Sequence, residues 1–188
     1  TTNHLHFYMV NIKDCFYHLD NFPTLPVLYS KAAESADYLD PSEHGTEARS
    51  QYAECLLFAK TAVYQKLSQH FRLKSQFIKF DPWSFYDWHV DAGNNGRAGR
   101  QCAINYVLTD NPGATTLYRL DQMYSLNYRI GVCDYQRLRP TLFNTQIPHC
   151  VSNPTDQTRY ILSVSLMDTS FESARDVLQT MSFDNAGL

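Results

Sequence analysis

The residue types with the clearest chemical use in this chain are an imidazole and a carboxylate two positions apart, in Trp88-His89-Val90-Asp91. On an extended strand, side chains two apart share a face, so His89 and Asp91 are expected to point the same way. They would offer adjacent ligands to a hard-to-borderline ion such as Fe(II). A third ligand stands downstream, His149 in Pro148-His149-Cys150-Val151. Two imidazoles and one carboxylate on one face of a metal leave three positions open for a co-substrate and O2. H-x-D alone recurs by chance and the chain has seven His, so the set gains weight only from what accompanies it.

Arg159 accompanies it. It opens the segment Arg159-Tyr160-Ile161-Leu162-Ser163-Val164-Ser165, in which alternation puts Arg159, Ile161, Ser163 and Ser165 on one face. A guanidinium aimed into a barrel is costly unless an anion meets it, and beside a hydroxyl it makes a fork for a carboxylate. The competing account, an edge Arg paired to a surface acid, is the weaker one once the possible metal ligands are counted with it.

These residues need a frame that holds strand ends together. His4 to Val10 reads as an opening strand. A helix is expected from Thr24 to Leu39, with Leu28, Ala32 and Ala36 on one face, and Asp40-Pro41 ends it. A longer helix is expected from about Glu47 to His70, where Tyr52, Leu56, Ala59, Val63 and Leu67 form an apolar stripe. Beyond Phe71 the period changes. Gln76–Phe80, Ser84–Val90, Gln101–Leu108, Thr115–Leu120, Thr141–Asn144 and Thr158–Met167 read as short strands. Turn chemistry such as Asp81-Pro82, Asn111-Pro112-Gly113 and Ser152-Asn153-Pro154 separates them. Ser170 to Met181 reads as a closing helix. Many short strands at even spacing suggest a barrel or a two-sheet jelly roll.

Composition sets the outer bounds. The 188 residues suit one domain. Within it, 1–75 would supply the first strand and supporting helices, 76–168 the β core, and 169–188 the last helix and tail. The 14% aromatic content favours strands. A net charge of -3 gives no reason to expect nucleic acid as a partner. The five Cys contain no C-x-x-C pair, which argues against a disulfide framework or a thiolate zinc site. No apolar run approaches ~20 residues, and Thr1 to Val10 has no signal-peptide layout. The expectation is a cytoplasmic protein with buried free thiols and no membrane contact.

Between Phe80 and Met167 the chain resembles the iron(II)/2-oxoglutarate dioxygenases, and within them the prolyl-hydroxylase-like branch. The resemblance rests on an ordered set: His89-Val90-Asp91; Arg100 leading into Cys102-Ala103-Ile104-Asn105-Tyr106-Val107-Leu108; Pro112-Gly113-Ala114-Thr115; Leu142-Phe143-Asn144; Pro148-His149-Cys150-Val151; and Arg159-Tyr160 with Ser163. It implies a mainly β (α+β) fold, a double-stranded β-helix with N-terminal helices packed on one sheet. It implies that His89, Asp91 and His149 ligate Fe(II). Arg159 would hold the distal carboxylate of 2-oxoglutarate, Ser163 would add a hydrogen bond, and Asn105 or Tyr106 would line the co-substrate pocket, with Asn105 favoured. The reaction implied is C–H hydroxylation with O2, releasing succinate and CO2. The chain departs from the branch at Phe80 and Val107, where members carry Tyr, and at Gly113, where they often have two Gly. These departures count against a prolyl-type substrate.

Ala92 to Arg100 is Gly-rich and begins one residue after Asp91. No strand-loop-helix with a terminal Lys-Ser/Thr accompanies it, so it is not a phosphate loop. It is either a hairpin loop or a lid whose Arg97 or Arg100 meets a small-molecule or peptide substrate. Trp88 is a further substrate candidate among the aromatics Trp83, Phe85 and Tyr86. Two other readings stay open: a cupin-type metal enzyme that makes no use of 2-oxoglutarate, and a jelly-roll module whose metal is structural.

Overall fold

The computed structural model describes residues 10–39, 50–91, 100–111, 113–120 and 129–183. Two antiparallel sheets carry the chain. The larger has six strands: β1 (Phe16–His18), β2 (Ser50–Glu54), β3 (Arg72–Phe80), β5 (Cys102–Val107), β8 (Pro140–Asn144) and β10 (Arg159–Met167), in the order β1-β8-β5-β10-β3-β2. The smaller has β4 (Ser84–His89), β6 (Thr115–Arg119), β7 (Ile130–Val132) and β9 (His149–Asn153), in the order β4-β9-β6-β7. The fold is a jelly roll, the double-stranded β-helix expected from the sequence.

The central strand β10 shows why the chain folds this way. Leu162, Val164 and Leu166 point to one side of the sheet, where they pack with Phe77, Ile104, Tyr106 and Leu142. Helices cover that side: α1 (Leu28–Glu34), α2 (Leu56–Ala59), α3 (Ala62–Ser68) and α4 (Phe171–Thr180). They contribute Tyr29, Phe58, Leu67, Phe171 and Leu178 to the same apolar layer. The alternate residues of β10, Arg159, Ile161, Ser163 and Ser165, point the other way and are all buried. Between the sheets lies a smaller cluster of Ile78, Phe80, Val107, Val151 and Ile161. One sheet face is thus apolar and packed, and the other carries the polar residues of the barrel interior.

The helix expected from Glu47 to His70 is corrected. Ser50–Glu54 is a strand that pairs with β3, with Tyr52 opposite Ile78, and 40–49 lie outside the described residues. The backbone groups along the β3 edge need partners, and sheet pairing overrides the helical period of Tyr52 and Leu56. Further on, the Thr61 hydroxyl donates to the Phe58 carbonyl (2.8 Å) and accepts from the Tyr64 amide (3.1 Å). It caps α3 in mid-stripe and splits the projected helix in two. The first helix is shorter than expected. Strands β1, β7 and β9 were not anticipated, and the opening strand His4 to Val10 falls outside the described residues except at Val10. The last helix agrees closely, with Ser170 capping α4 by accepting from the Ser173 amide. All five Cys are free and buried. Among the described residues no helix is long and apolar enough to cross a membrane.

A buried polar cluster ties the far end of the barrel together. Asn153, at the end of β9, donates from its amide nitrogen towards the carbonyls of Phe80, Asp81 and Gln157. Its side-chain oxygen accepts from Asn111 (3.1 Å) and Thr155 (2.9 Å). One side chain therefore joins the β3–β4 turn to the β9–β10 turn. Removing it strands several buried acceptors at once. Asn153→Ala is expected to cost about 2–4 kcal/mol, read as a lower denaturant midpoint with an unchanged slope.

Candidate metal centre and anion pocket

His89 and His149 face each other across the β4–β9 pair, as register partners, with ring centroids 4.3 Å apart. An irregularity in the pairing between Tyr86 and His89 turns the end of β4, as bulges do where a side chain must be re-aimed. Asp91 is the second residue beyond the strand and is anchored through its amide to the Thr145 carbonyl (3.0 Å). One ligand atom from each of His89, Asp91 and His149 lies within 4.8 Å of the others. His89 Nε2 is 3.5 Å from Asp91 Oδ1, close to the ~3 Å separating neighbouring ligands of one ion when each bond is about 2.1 Å.

The tautomers follow from the partners. His89 Nδ1 lies 2.7 Å from the Asp87 carbonyl and His149 Nδ1 lies 2.9 Å from the Ile147 carbonyl. A carbonyl only accepts, so each Nδ1 carries a proton, which leaves Nε2 as the ligand atom of the neutral ring. Burial holds the His149 pKa down at about 4, and the neighbouring His89 pushes in the same direction against Asp91. His149 is therefore neutral at physiological pH, the state in which an imidazole binds metal.

The carboxylate is oriented as well. Arg100 Nε donates to Asp91 Oδ2, and Arg100 Nη1 donates to the Ser163 hydroxyl at 3.2 Å. One carboxylate oxygen is thereby engaged and Oδ1 is left towards the imidazoles. Arg100 thus bridges Asp91 and Ser163. Of the other proposed substrate contacts, Trp88 is not among the described residues lining the cleft, and Arg97 and the loop 92–99 lie outside the described residues.

Arg159 lies at the other end of the same interior. Its side chain is 1% exposed. Nε, Nη1 and Nη2 have no hydrogen-bond partner among the described residues. Its guanidinium carbon is 5.9 Å from the Phe80 ring centroid and 5.5 Å from that of Tyr135. Burial lowers its pKa, but a guanidinium keeps its charge in a protein. A positive charge is thus held out of water with no ion-pair or hydrogen-bond partner among the described residues.

Register decides between Asn105 and Tyr106. Asn105 lies opposite Ser163 and Thr141 and lines the inner chamber with the two His and Asp91. Tyr106 points into the helix-covered layer, so it cannot line a co-substrate pocket. The Asn105 amide donates to the Tyr135 hydroxyl (3.2 Å), and its carbonyl oxygen has no partner. Tyr135, which sequence reasoning missed, comes from the connection between β7 and β8. The inner chamber, about 40 Å³, runs from His89, Asp91 and His149 past Ile78, Phe80 and Tyr135. At the open end a cleft of about 530 Å³ exposes His89 and Asp91 beside Tyr52, Tyr86, Lys74 and Gln76.

The fold defines a class of double-stranded β-helix proteins, and solved structures of that class superpose on this chain. A Pseudomonas putida prolyl-4-hydroxylase matches at 13% identity and a TM-score of 0.55, covering 82% of this chain and 93% of that one. A Trichoplax adhaerens prolyl hydroxylase in complex with a hypoxia-inducible-factor peptide fragment matches at 18% identity and 0.56, covering 88% of each chain. HygX of Streptomyces hygroscopicus, with nickel, 2-oxoglutarate and hygromycin B bound, matches at 11% and 0.54, covering 85% and 86%. At these identities the likeness is one of fold. No protein-family model and no curated protein sequence matches the chain.

The depressed His149 pKa carries a stability consequence in metal-free protein. The unfolded chain takes up a proton near its ordinary pKa of 6.5, and the folded protein refuses it until about 4. Stability is then fully present above pH 6.5 and falls as pH drops towards 4. Wild type is expected to lose about 2–3 kcal/mol more than His149→Gln between pH 7 and 4.5. Denaturant unfolding in the presence of a chelator measures the difference, and equal losses would contradict a buried neutral His149.

Proposed function

We propose that the chain is an iron(II)- and 2-oxoglutarate-dependent oxygenase that hydroxylates an unactivated C–H bond of a peptide side chain or small metabolite. One oxygen atom of O2 would enter the hydroxyl and the other the succinate released with CO2. The observation that carries this reading is the orphaned charge of Arg159 in the same barrel interior as a His/Asp/His cluster. The donor set suits a first-row divalent ion with open positions, and the buried guanidinium suits a dicarboxylate that reaches it from the metal.

In this reading His89 Nε2, His149 Nε2 and Asp91 Oδ1 hold the iron. Arg100 and Ser163 keep Asp91 turned towards it. Arg159 binds the distal carboxylate, and Asn105 borders the co-substrate between the two ends. The bound iron supplies the oxygen chemistry that amino-acid side chains lack. The protein's share is to orient the reactants and exclude water. The nickel and 2-oxoglutarate of HygX support a metal and this co-substrate in such a barrel. The peptide fragment in complex with the Trichoplax enzyme supports a peptide as one class of substrate.

Succinate release on adding Fe(II), 2-oxoglutarate and O2 tests the class directly, and metal-loaded protein that yields none contradicts it. His89→Ala and His149→Ala are each expected to abolish stoichiometric iron binding while unfolding stays cooperative. Arg159→Ala is expected to leave iron affinity near wild type and to raise the 2-oxoglutarate needed for turnover about 30- to 1,000-fold. That range is the loss of roughly 2–4 kcal/mol with a charge-assisted contact.

A further inference from the structure

Arg159 is poorly served by its own sheet. Its register partner on β3 is Phe80, and the next residue on its face, Ile161, lies opposite Val107 of β5 and Ile78 of β3. None of these side chains has a hydroxyl. The nearest hydroxyl further along the same face of β10, Ser163, already accepts from Arg100. A carboxylate arriving at Arg159 would meet apolar side chains from its own sheet; Thr109, Asn111 and Thr115 line the cavity that Arg159 opens to but do not reach the inner chamber.

Tyr135 is the exception. The connection that carries it is fastened on both sides. The Cys133 amide donates to the Thr116 carbonyl of β6 (2.9 Å), and the Leu138 amide donates to the Val107 carbonyl of β5 (2.8 Å). The ring is thereby held beside the Arg159 guanidinium and roughly parallel to Phe143, 6.5 Å away at 17°. Its hydroxyl accepts from the Asn105 amide inside the barrel. Tyr135 borders the inner chamber with His89, Asp91 and His149, and also a second cavity of about 280 Å³ that reaches Arg159 from the far end. Burial pushes its phenol well above the usual range, with Cys133 adding to the rise, so the hydroxyl keeps a proton to donate.

We propose that Tyr135 is a co-substrate-binding residue, donating its phenolic hydrogen to the carboxylate held by Arg159. The anion site is then built from one strand residue and one residue of the β7–β8 connection, which delivers the hydroxyl that Phe80 and Val107 lack. This rests on the assignment of Arg159 above. Asn105 holds the oxygen in place, and the hydrogen, now shared with the Cys133 side chain, is the one a carboxylate at Arg159 would take.

The test compares wild type, Tyr135→Phe and Arg159→Ala, each loaded with Fe(II) and titrated anaerobically by calorimetry. The two titrants are 2-oxoglutarate and 2-oxopentanoate, which keeps the oxo acid and lacks the distal carboxylate. Tyr135→Phe is expected to weaken 2-oxoglutarate about 10- to 100-fold and to leave 2-oxopentanoate within about twofold. Equal weakening of both titrants would show a merely structural ring and overturn the proposal. So would wild-type 2-oxoglutarate affinity in Tyr135→Phe when Arg159→Ala has lost it, an outcome that leaves the Arg159 assignment standing. Wild-type affinity in both variants would remove the Arg159 assignment along with it.

Discussion

Taking a charged side chain out of water costs several kcal/mol even after the protein relaxes around it. Arg159 has been moved inside a β barrel and left without a hydrogen-bond partner among the described residues. A structural ion pair would have placed a carboxylate opposite it. Here the immediate neighbours are the Phe80 and Tyr135 rings. Cation–π contact recovers a small part of the cost, on the order of 1–2 kcal/mol, and leaves the five N–H donors unused. In the proposed reading a ligand completes this site, and its cost is met from the stability of the rest of the fold.

The rest of the fold supplies that support in two layers. Outside, four helices bury the apolar face of the larger sheet and hold β10 rigid between β5 and β3. Inside, polar contacts connect the two ends of the barrel. Asn153 locks the turn before β10 to the turn before β4, which places Arg159 relative to the strand that carries His89. Ser163, on the same strand as Arg159, meets Arg100, and Arg100 meets Asp91. The orientation of the Asp91 carboxylate is therefore mechanically continuous with the strand that presents the buried Arg159 guanidinium.

Much of this was legible in the residues. Alternation along Arg159 to Ser165 correctly separates the buried polar face from the helix-covered face, because β10 is regular and its period of two survives intact. The closeness of His89 and Asp91 follows from their spacing, although the pairing irregularity after Tyr86 and the anchor to Thr145 could not be foreseen. What the sequence hides depends on register and on tertiary competition. Asn105 and Tyr106 differ only in which face the pairing of β5 presents. Ser50–Glu54 carries the start of a helical stripe and becomes a strand because the β3 edge needs a partner. Tyr135 sits in an irregular connection between a strand of three residues and the stretch Gln136-Arg137-Leu138-Arg139, where no period marks it. Only the folded chain brings it to Arg159.

The central claim is that the His/Asp/His cluster and Arg159 are two ends of one site, spanned by a single dicarboxylate. Binding must then be coupled, and the coupling must be reciprocal. Measuring 2-oxoglutarate affinity by calorimetry with and without a divalent metal, and metal affinity with and without 2-oxoglutarate, tests this most directly. The account predicts that each ligand tightens the other by the same factor, tenfold or more for about 1.4 kcal/mol of coupling. Affinities that are indifferent to the other ligand would contradict it, and would make the buried guanidinium and the metal-facing residues two unrelated features of one barrel.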